Sequence, residues 1–218
     1  MTKKPFATAQ EVTEANRVFH NAVASDYDKH LEIYHPVVIE YFRKLFQKWI
    51  FSHFSAEKPL SVLDVGCGTG YLEQFLIDRP VTVDGIDVSH QMLKLARNKF
   101  PSSIYPWFRY RIKDVYTLGE EDKQYDIVLA NSFLHHCQDY RRVLEIMGRK
   151  VKKGGVLFMG MEPNRLVYKY LFFLVFLFRR LTLSKKDQCQ PDGLNGELAE
   201  YHLYYGAGFS SRSLRKML

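Results

Sequence analysis

Cysteine and tryptophan are scarce in this sequence of 218 residues, which has three of the first and two of the second. Three cysteines cannot form a fully paired disulfide framework, and their spacing fits no metal-binding motif. No apolar segment follows the basic residues Lys3 and Lys4, so we expect no secretory signal. These absences argue against a small disulfide-rich secreted protein and predict a reducing, cytoplasmic location.

The sequence also lacks an apolar run long enough to cross a bilayer. Its longest run, from Tyr170 to Phe178, would form a helix of about 14 Å, whereas a bilayer core is about 30 Å thick. The formal net charge is +7, and the segment from Arg165 to Lys186 contains basic residues but no acidic one. Two interpretations stay open for residues 165–186: a lid over an apolar pocket, or peripheral contact with an anionic membrane surface.

Strand-like and helical patterns alternate in the middle of the chain. Strands are predicted at residues 62–65, 81–87, 110–115, 125–130 and 156–160, with helices after Ser89 and over residues 140–151. This alternation predicts an α/β fold with a doubly wound, Rossmann-like, mostly parallel sheet and flanking helices. We expect an N-terminal helical cap at 1–58, with an amphipathic helix over 37–51. A core at 59–161 and a basic, apolar helix with a C-terminal segment at 162–218 would follow.

Glycines occupy every second position just after the first strand, at Gly66, Gly68 and Gly70. Bare backbone there lets a ligand lie close to the main chain. The spacing differs from the dinucleotide fingerprint G-x-G-x-x-G. Asp64, just before the glycines, would repel a pyrophosphate and suits a ligand with a cationic amino-acid end. Asp87, about 20 residues beyond the glycines, can accept both ribose hydroxyls of a nucleoside.

Polar residues also follow the later strands, at Asp114 and Asn131. Ligands of open α/β sheets bind beyond the carboxyl ends of the strands. Each of these residues alone could be an ordinary turn or cap residue, as Asp often is. Taken in order and with their spacing, they predict one shared binding site.

This pattern resembles the class I S-adenosylmethionine-dependent methyltransferases of the small-molecule or lipid type. The resemblance implies S-adenosylmethionine as cofactor and S-adenosylhomocysteine as product, with Asp87 at the ribose, Met92 and Asp114 near the adenine, and the Tyr27 ring closing over the site. The predicted cofactor-binding residues are Tyr27, Asp64, Gly66, Cys67, Gly68, Gly70, Asp87, Val88, Met92, Asp114, Val115, Asn131 and Ser132. No metal requirement is visible.

A base assists methyl transfer when the nucleophile carries a proton. His135 and His136, after the fourth strand, are candidates because imidazole titrates near neutrality, and Glu162, after the fifth strand, is another. Alternatively, one histidine caps the following helix or supports the cofactor loop. We expect His20, His30 and His35 to be surface or packing residues.

The predicted acceptor is a hydroxyl or carbon of a small hydrophobic or amphiphilic compound, lipids included. Residues 131–134 lack the prolines of N6-amino methyltransferases, and no cysteine follows a proline as base C5 methylation requires. The basic aromatic stretch at 105–113 could bind single-stranded nucleic acid. It is expected instead to form the third β-strand and the segment that leads into it, so nucleic acid is not an expected partner. An RNA or protein methyltransferase, or a cofactor-binding non-catalytic partner, stays an alternative.

The family's sheet has seven strands, and no pattern for strands six and seven follows residue 184. A helix initiated by Ser210 and Ser211 is predicted at the end of the sequence. Either the sequence is truncated or the fold is a five-stranded variant, and we favour truncation. The sequence indicates no oligomeric state.

Overall fold

The computed structural model describes residues 7–28 and 34–163. Its centre is a five-stranded sheet in the order β3-β2-β1-β4-β5, in which every pair of neighbours is parallel. The strands are β1 (Leu60–Val65), β2 (Val81–Asp87), β3 (Phe108–Ile112), β4 (Tyr125–Asn131) and β5 (Val151–Gly160). The α-helices are α1 (Ala9–Tyr27), α2 (Pro36–Leu45), α3 (His90–Lys99) and α4 (Tyr140–Arg149).

The two faces of the sheet bury separate apolar clusters, as a doubly wound fold requires. Successive residues of β4 alternate between them: Ile127 and Leu129 lie in the first cluster, and Val128 and Ala130 in the second. Side chains of a strand point alternately to opposite faces, so a strand buried on both sides is apolar throughout. The predicted α/β fold with a parallel sheet is confirmed.

Helix α1 begins at a capping box that the sequence analysis did not use. The Thr8 side chain accepts a hydrogen bond from the Glu11 backbone N–H, and the Glu11 carboxylate accepts one from the Thr8 backbone N–H. Such reciprocal bonds satisfy two donors that a helix start otherwise leaves unpaired. The predicted helix over 37–51 corresponds to α2, which begins at Pro36 behind the N-cap His35.

Two strands differ at their ends from the predicted ones. β3 ends at Ile112, and Asp114 instead caps a short 3-10 helix, its side chain accepting from the N–H of Tyr116 at 3.0 Å. β5 begins at Val151 rather than after the glycines at 154 and 155. Gly154 has a φ of +78°, and the pairing with β4 is irregular between Tyr125 and Ile127. The glycines therefore form an irregularity inside the strand and not a turn before it.

Polar contacts attach α1 to the part of the sheet where β1, β2 and β4 end. The Nδ2 group of Asn16 donates to the carbonyl of His136 at 3.0 Å. Near the middle of the helix, Oδ1 of Asn21 accepts from the Ser89 hydroxyl at 2.8 Å. These contacts place one face of α1 opposite the ends of the strands.

Several predictions fall on residues outside the described part of the chain. They concern His30, the basic apolar segment at 165–186, the C-terminal helix, and the edge where strands six and seven would pair. Within 7–28 and 34–163, no helix combines the length and apolarity needed to cross a membrane.

Candidate functional site

A pocket with about 720 Å³ of open space lies at the carboxyl ends of β1, β2 and β4, beside α1. Most of the residues predicted from the sequence line it. These are Tyr27, Gly66, Gly68, Asp87, Val88, Met92, Asp114, Val115, Asn131, Ser132 and His136. The structure therefore brings together residues from four separate strand ends and from the end of α1.

The remaining predicted site residues do not line the pocket. Asp64, Cys67 and Gly70 lie within or just behind the glycine turn, and His135 and Glu162 lie behind the turn that follows β4. Asp64, Cys67 and His135 are each buried. Their contacts indicate what they do instead.

The pocket also has a wall that the sequence analysis missed. Thr13, Asn16 and His20 of α1 line it, as do Lys113, Tyr116, Phe133 and Cys137. The capping box at Thr8 and Glu11 was the available signal for the helix. In a helix that follows such a box, residues three or four positions apart share a face. Thr13, Asn16 and His20 would then lie on one face of the helix.

The glycines of the turn have different roles. All three have positive φ, at +68° for Gly66, +54° for Gly68 and +84° for Gly70. A Cβ on Gly66 would lie 2.2 Å from the Phe133 ring, and one on Gly70 would lie 3.0 Å from the Phe100 ring, so both positions are needed for close packing. A Cβ on Gly68 would meet nothing within 4 Å, which leaves bare backbone facing open space.

Asp87 lies at the end of β2 and on the pocket wall. Its Oδ2 accepts from the Gly68 N–H at 3.0 Å, and its Oδ1 accepts from the Ser89 N–H at 2.8 Å. Burial raises the pKa of Asp87, and the charge of His20 and these backbone N–H groups partly offset that rise. Each oxygen keeps a lone pair with which to accept a ligand hydroxyl.

Asp64 and Glu73 form a buried acidic pair behind the glycine turn. Their side chains are 1% and 0% exposed, and the two carboxyl groups interact with each other. Burial raises the pKa of Asp64 well above its ordinary value and that of Glu73 to about 7. Burial likewise raises the pKa of the neighbouring Cys67 thiol, so this thiol is a packing group.

The turn after β4 is held in an uncommon backbone conformation. Ser132 has a φ of +53°, which is unusual for a residue with a side chain, and its N–H donates to the Gly160 carbonyl at 2.8 Å. Oε1 of Glu162 accepts from the N–H groups of Phe133 and Leu134 at 2.7 and 2.8 Å. The carboxylate of Glu162 thus holds the start of the turn in place.

The two histidines of this turn have different surroundings. Nδ1 of His135 lies 3.0 Å from Oε2 of Glu162, and both side chains are 7% exposed. His136 lines the pocket, and its ring packs edge-on against His20 with 5.0 Å between centroids. Across the described ranges, no group of acidic, histidine or cysteine side chains is arranged to hold a metal ion.

Sequence comparison places this chain among known methyltransferase domains. Residues 63–159 match the family described as "Methyltransferase domain". The chain is 31% identical over 158 residues to a ubiquinone biosynthesis O-methyltransferase of Acinetobacter baylyi, covering 72% of this chain and 65% of that protein. It is 29% identical over 136 residues to the protein of the same name from Coxiella burnetii, covering 61% and 57%. The chain therefore spans less than two thirds of the length of these curated relatives.

The fold is also shared with solved structures. The complex of DhpI with SAH superimposes with a TM-score of 0.54 at 22% identity, covering 70% of each chain. At that identity the likeness concerns the fold. The family match over residues 63–159, together with the parallel sheet and the glycine turn, shows that this part of the chain is a class I, S-adenosylmethionine-dependent methyltransferase domain.

Proposed function

We propose that this protein transfers a methyl group from S-adenosylmethionine to a hydroxyl group of a small hydrophobic or amphiphilic acceptor. The observation that carries the proposal is the hydrogen bond between Asp87 and the half-buried backbone of Gly68 on one pocket wall. The Asp87 carboxylate can accept hydrogen bonds from the ribose of a nucleoside bound there, and the open space along the main chain at Gly68 can hold the rest of the ligand.

The residues present fit this cofactor. Asn131 lines the pocket at the end of β4, with its buried Oδ1 turned toward Gly160 of β5. Met92 and Val115 offer apolar surface to the adenine, and Asp114 lines the same pocket. When bound, S-adenosylmethionine supplies an activated methyl group, and the domain must align the acceptor with it and exclude water.

The relatives support oxygen as the atom that is methylated, since both are named O-methyltransferases of ubiquinone biosynthesis. The pocket wall combines rings and aliphatic groups with a few polar atoms, which suits a small organic molecule. We therefore favour a small hydroxylated acceptor over RNA, protein or a purely structural partner. Contact of residues 165–186 with a membrane surface stays a separate proposal.

The direct test is calorimetric titration of the protein with S-adenosylhomocysteine, beside the variants Asp87→Ala and Asp122→Ala. Asp122 is an exposed carboxylate outside the pocket, so it controls for the loss of one negative charge. Removing Asp87 is expected to weaken binding by at least about a hundredfold, because hydrogen bonds to a charged group contribute about 1.5–3 kcal/mol each. Asp122→Ala should bind like the wild type.

Either of two results would contradict the proposal. If the wild type binds neither S-adenosylmethionine nor S-adenosylhomocysteine, the cofactor assignment is wrong. If it binds both but transfers no methyl group to any hydroxylated acceptor, while a carbon acid or an amine is methylated, the assignment of oxygen is wrong.

A further inference from the structure

Helix α1 presents four side chains with polar atoms to the pocket, at Thr13, Asn16, His20 and Tyr27. Two of them, Asn16 and His20, are oriented by hydrogen bonds to backbone carbonyls. They lie four residues apart, so they share one face of the helix, one turn above the other. Neither belongs to the glycine turn or to the polar residues that follow the strands. The hydrogen bonds that each already makes determine what it can still offer a ligand.

The amide of Asn16 has a defined orientation. One nitrogen, Nδ2, lies 2.8 Å from the Val12 carbonyl and 3.0 Å from the His136 carbonyl. Because both carbonyls can only accept, the NH2 group must face them. The other end, Oδ1, is buried and has no hydrogen-bond partner within residues 7–28 and 34–163. A buried acceptor without a donor is costly, so a ligand that brings a donor is favoured here.

The imidazole of His20 is oriented in the same way. Its Nδ1 lies 2.9 Å from the backbone carbonyl of Asn16. The carbonyl can only accept, so Nδ1 carries the hydrogen, and in the neutral ring Nε2 is left with a lone pair. No hydrogen bond to Nε2 is found among the described residues. Asn16 and His20 therefore add two hydrogen-bond acceptors, and no donor, to one wall of the pocket.

Other titratable groups share the pocket wall with His20. The other titratable residues that line the pocket are Tyr27 of α1, Asp87 of β2, Lys113, Asp114 and Tyr116 beyond β3, and His136 and Cys137 after β4. The pKa of Asp87, which burial raises, is lowered in part by the charge of His20. Asp87 therefore lies close enough to His20 for their charges to interact.

We propose that Asn16 and His20 bind the hydroxyl groups of the methyl acceptor and that Nε2 of His20 takes the proton from the hydroxyl that becomes methylated. This inference rests on the proposed function. Two acceptor atoms select a ligand that brings two hydrogen-bond donors, and a ring that carries them suits the neighbouring side chains. The rings of His20, Tyr27 and His136, at centroid distances of 5.0 to 6.0 Å, offer such a ring an aromatic wall.

The proton and electrons of the reaction balance with these groups alone. The acceptor O–H bond breaks and its proton passes to Nε2 of His20, while the oxygen forms a bond to the methyl carbon. The bond between that carbon and the cofactor sulfur breaks, and its electron pair stays on sulfur. The positive charge thus moves from the sulfonium to His20, beside Asp87.

Other candidate bases have competing contacts. His135 directs Nδ1 to Glu162 and does not line the pocket. The carboxylate of Glu162 accepts from three successive backbone N–H groups. His136 lines the pocket beside His20 and is therefore the rival that the experiment must separate.

The chain contains a matched control for His20. His53 also places Nδ1 against the carbonyl four residues earlier, 2.5 Å from that of Trp49, but it is exposed and lies outside the pocket. His53→Gln and His20→Gln therefore remove the same local contact, and only the second changes the pocket. His136→Gln tests the rival.

The first readout does not require turnover. The probe is 4-nitrocatechol, whose absorbance reports the ionisation of its hydroxyl, titrated into the protein saturated with S-adenosylhomocysteine. The wild type and His53→Gln should shift the bound probe toward its ionised spectrum, and His20→Gln should not. 1,2-Dimethoxy-4-nitrobenzene, which has no hydroxyl donor, should bind at least about tenfold more weakly than 4-nitrocatechol, the effect of about 1.4 kcal/mol.

The second readout is methylation of 4-nitrocatechol. His20→Gln should lower kcat by about 10²–10⁴-fold, the usual contribution of a general base, with unchanged affinity for S-adenosylhomocysteine, and added imidazole should partly restore the rate of His20→Ala. Normal turnover by His20→Gln, or loss of the spectral shift in His136→Gln alone, would overturn the inference. Failure of the wild type to bind S-adenosylhomocysteine would instead show that the proposed function is wrong.

Discussion

Glu162 contacts His135 twice: its Oε2 lies 3.2 Å from the backbone nitrogen and 3.0 Å from Nδ1 of the ring. Both side chains are 7% exposed, so the contacts are shielded from water. The other oxygen of Glu162 accepts from the two preceding N–H groups. The turn that carries Ser132 and His136 to the pocket is therefore held by a carboxylate at the end of the neighbouring strand.

Replacing Glu162 with Gln should destabilise the protein. The amide keeps one acceptor oxygen, but its NH2 group cannot accept from the N–H groups that face it, so buried donors lose their partners. We expect the free energy of unfolding to fall by about 2–4 kcal/mol, measured by urea denaturation. Glu57→Gln, at an exposed position, should change it by no more than about 0.5 kcal/mol. Equal stability of the two variants would show that Glu162 does not hold the turn.

The sheet and one side of the site were predictable because their signals are local in the sequence. Apolar runs that end in Asp64–Val65, Asp87 and Asn131 fix where the strands end, and parallel strands bring those ends to one edge. A glycine indicates backbone without a side chain wherever it occurs in the sequence. Asp87 and Gly68 could therefore be placed in a common site without knowing how any side chain packs.

The capping box at Thr8 and Glu11 predicts that α1 forms and which residues share a face, but not that this face forms a wall of the pocket. Asn16 and His20 carry no motif, and their role depends on hydrogen bonds to carbonyls and on how α1 lies across the sheet. The position of Glu162 behind the pocket is likewise set by contacts with residues about thirty positions earlier in the chain, at Phe133 and Leu134. Long-range packing of this kind leaves no periodic trace in the sequence.

Adding a methyl group at Gly68 tests whether the open space beside it belongs to the cofactor. Gly68 and Gly154 both have positive φ, +54° and +78°, and a Cβ at either would meet nothing within 4 Å. Gly68→Ala and Gly154→Ala should each cost about 1–2 kcal/mol of stability through backbone strain. Only Gly68→Ala should also weaken binding of S-adenosylhomocysteine, by about tenfold or more, since crowding typically costs about 1–3 kcal/mol. Calorimetry that finds equal affinities would exclude Gly68 from the cofactor site.

The buried carboxyl of Glu73 should make the stability of the protein depend on pH. Burial raises its pKa from 4.5 to about 7. The folded state therefore binds the proton more tightly than the unfolded state, and its contribution to stability is complete below pH 4.5 and lost as the pH rises to about 7.

Glu73→Gln should remove the part of this dependence that Glu73 contributes, and leave the part that the buried Asp64 contributes. At pH 8 the variant should be more stable than the wild type by on the order of 1–3 kcal/mol, and the advantage should shrink as the pH falls toward 4.5. Glu145→Gln, on the exposed side of α4, should follow the wild type at every pH. Parallel curves for wild type and Glu73→Gln in urea denaturation between pH 4.5 and 8 would show that Glu73 keeps an ordinary pKa.

Asp28 links the end of α1 to the glycine turn and to α3. It accepts from the Thr69 hydroxyl at 2.6 Å and the Tyr34 hydroxyl at 2.8 Å, and it forms an ion pair with Lys99. Burial by itself raises the pKa of Asp28, but the contacts with Lys99, Thr69 and Tyr34 outweigh it and lower the pKa below 3.8. The stabilisation is therefore present above pH 3.8 and is lost as the pH falls through the lowered pKa.

A double-mutant cycle measures this link. Asp28→Asn, Lys99→Gln and the double variant should give a coupling energy of about 0.5–2 kcal/mol at pH 7. The exposed pair Glu40 and Arg43, with side chains 46% and 51% exposed, should give only about 0.2–0.5 kcal/mol in the same cycle. Tyr27 lines the pocket, and Asp28 is the next residue in the chain. Because Asp28 holds this end of α1 in place, Asp28→Asn should also weaken binding of S-adenosylhomocysteine, whereas Glu40→Gln should not. A coupling energy for Asp28 and Lys99 no larger than that of the exposed pair would mean that this ion pair does not hold α1 over the site.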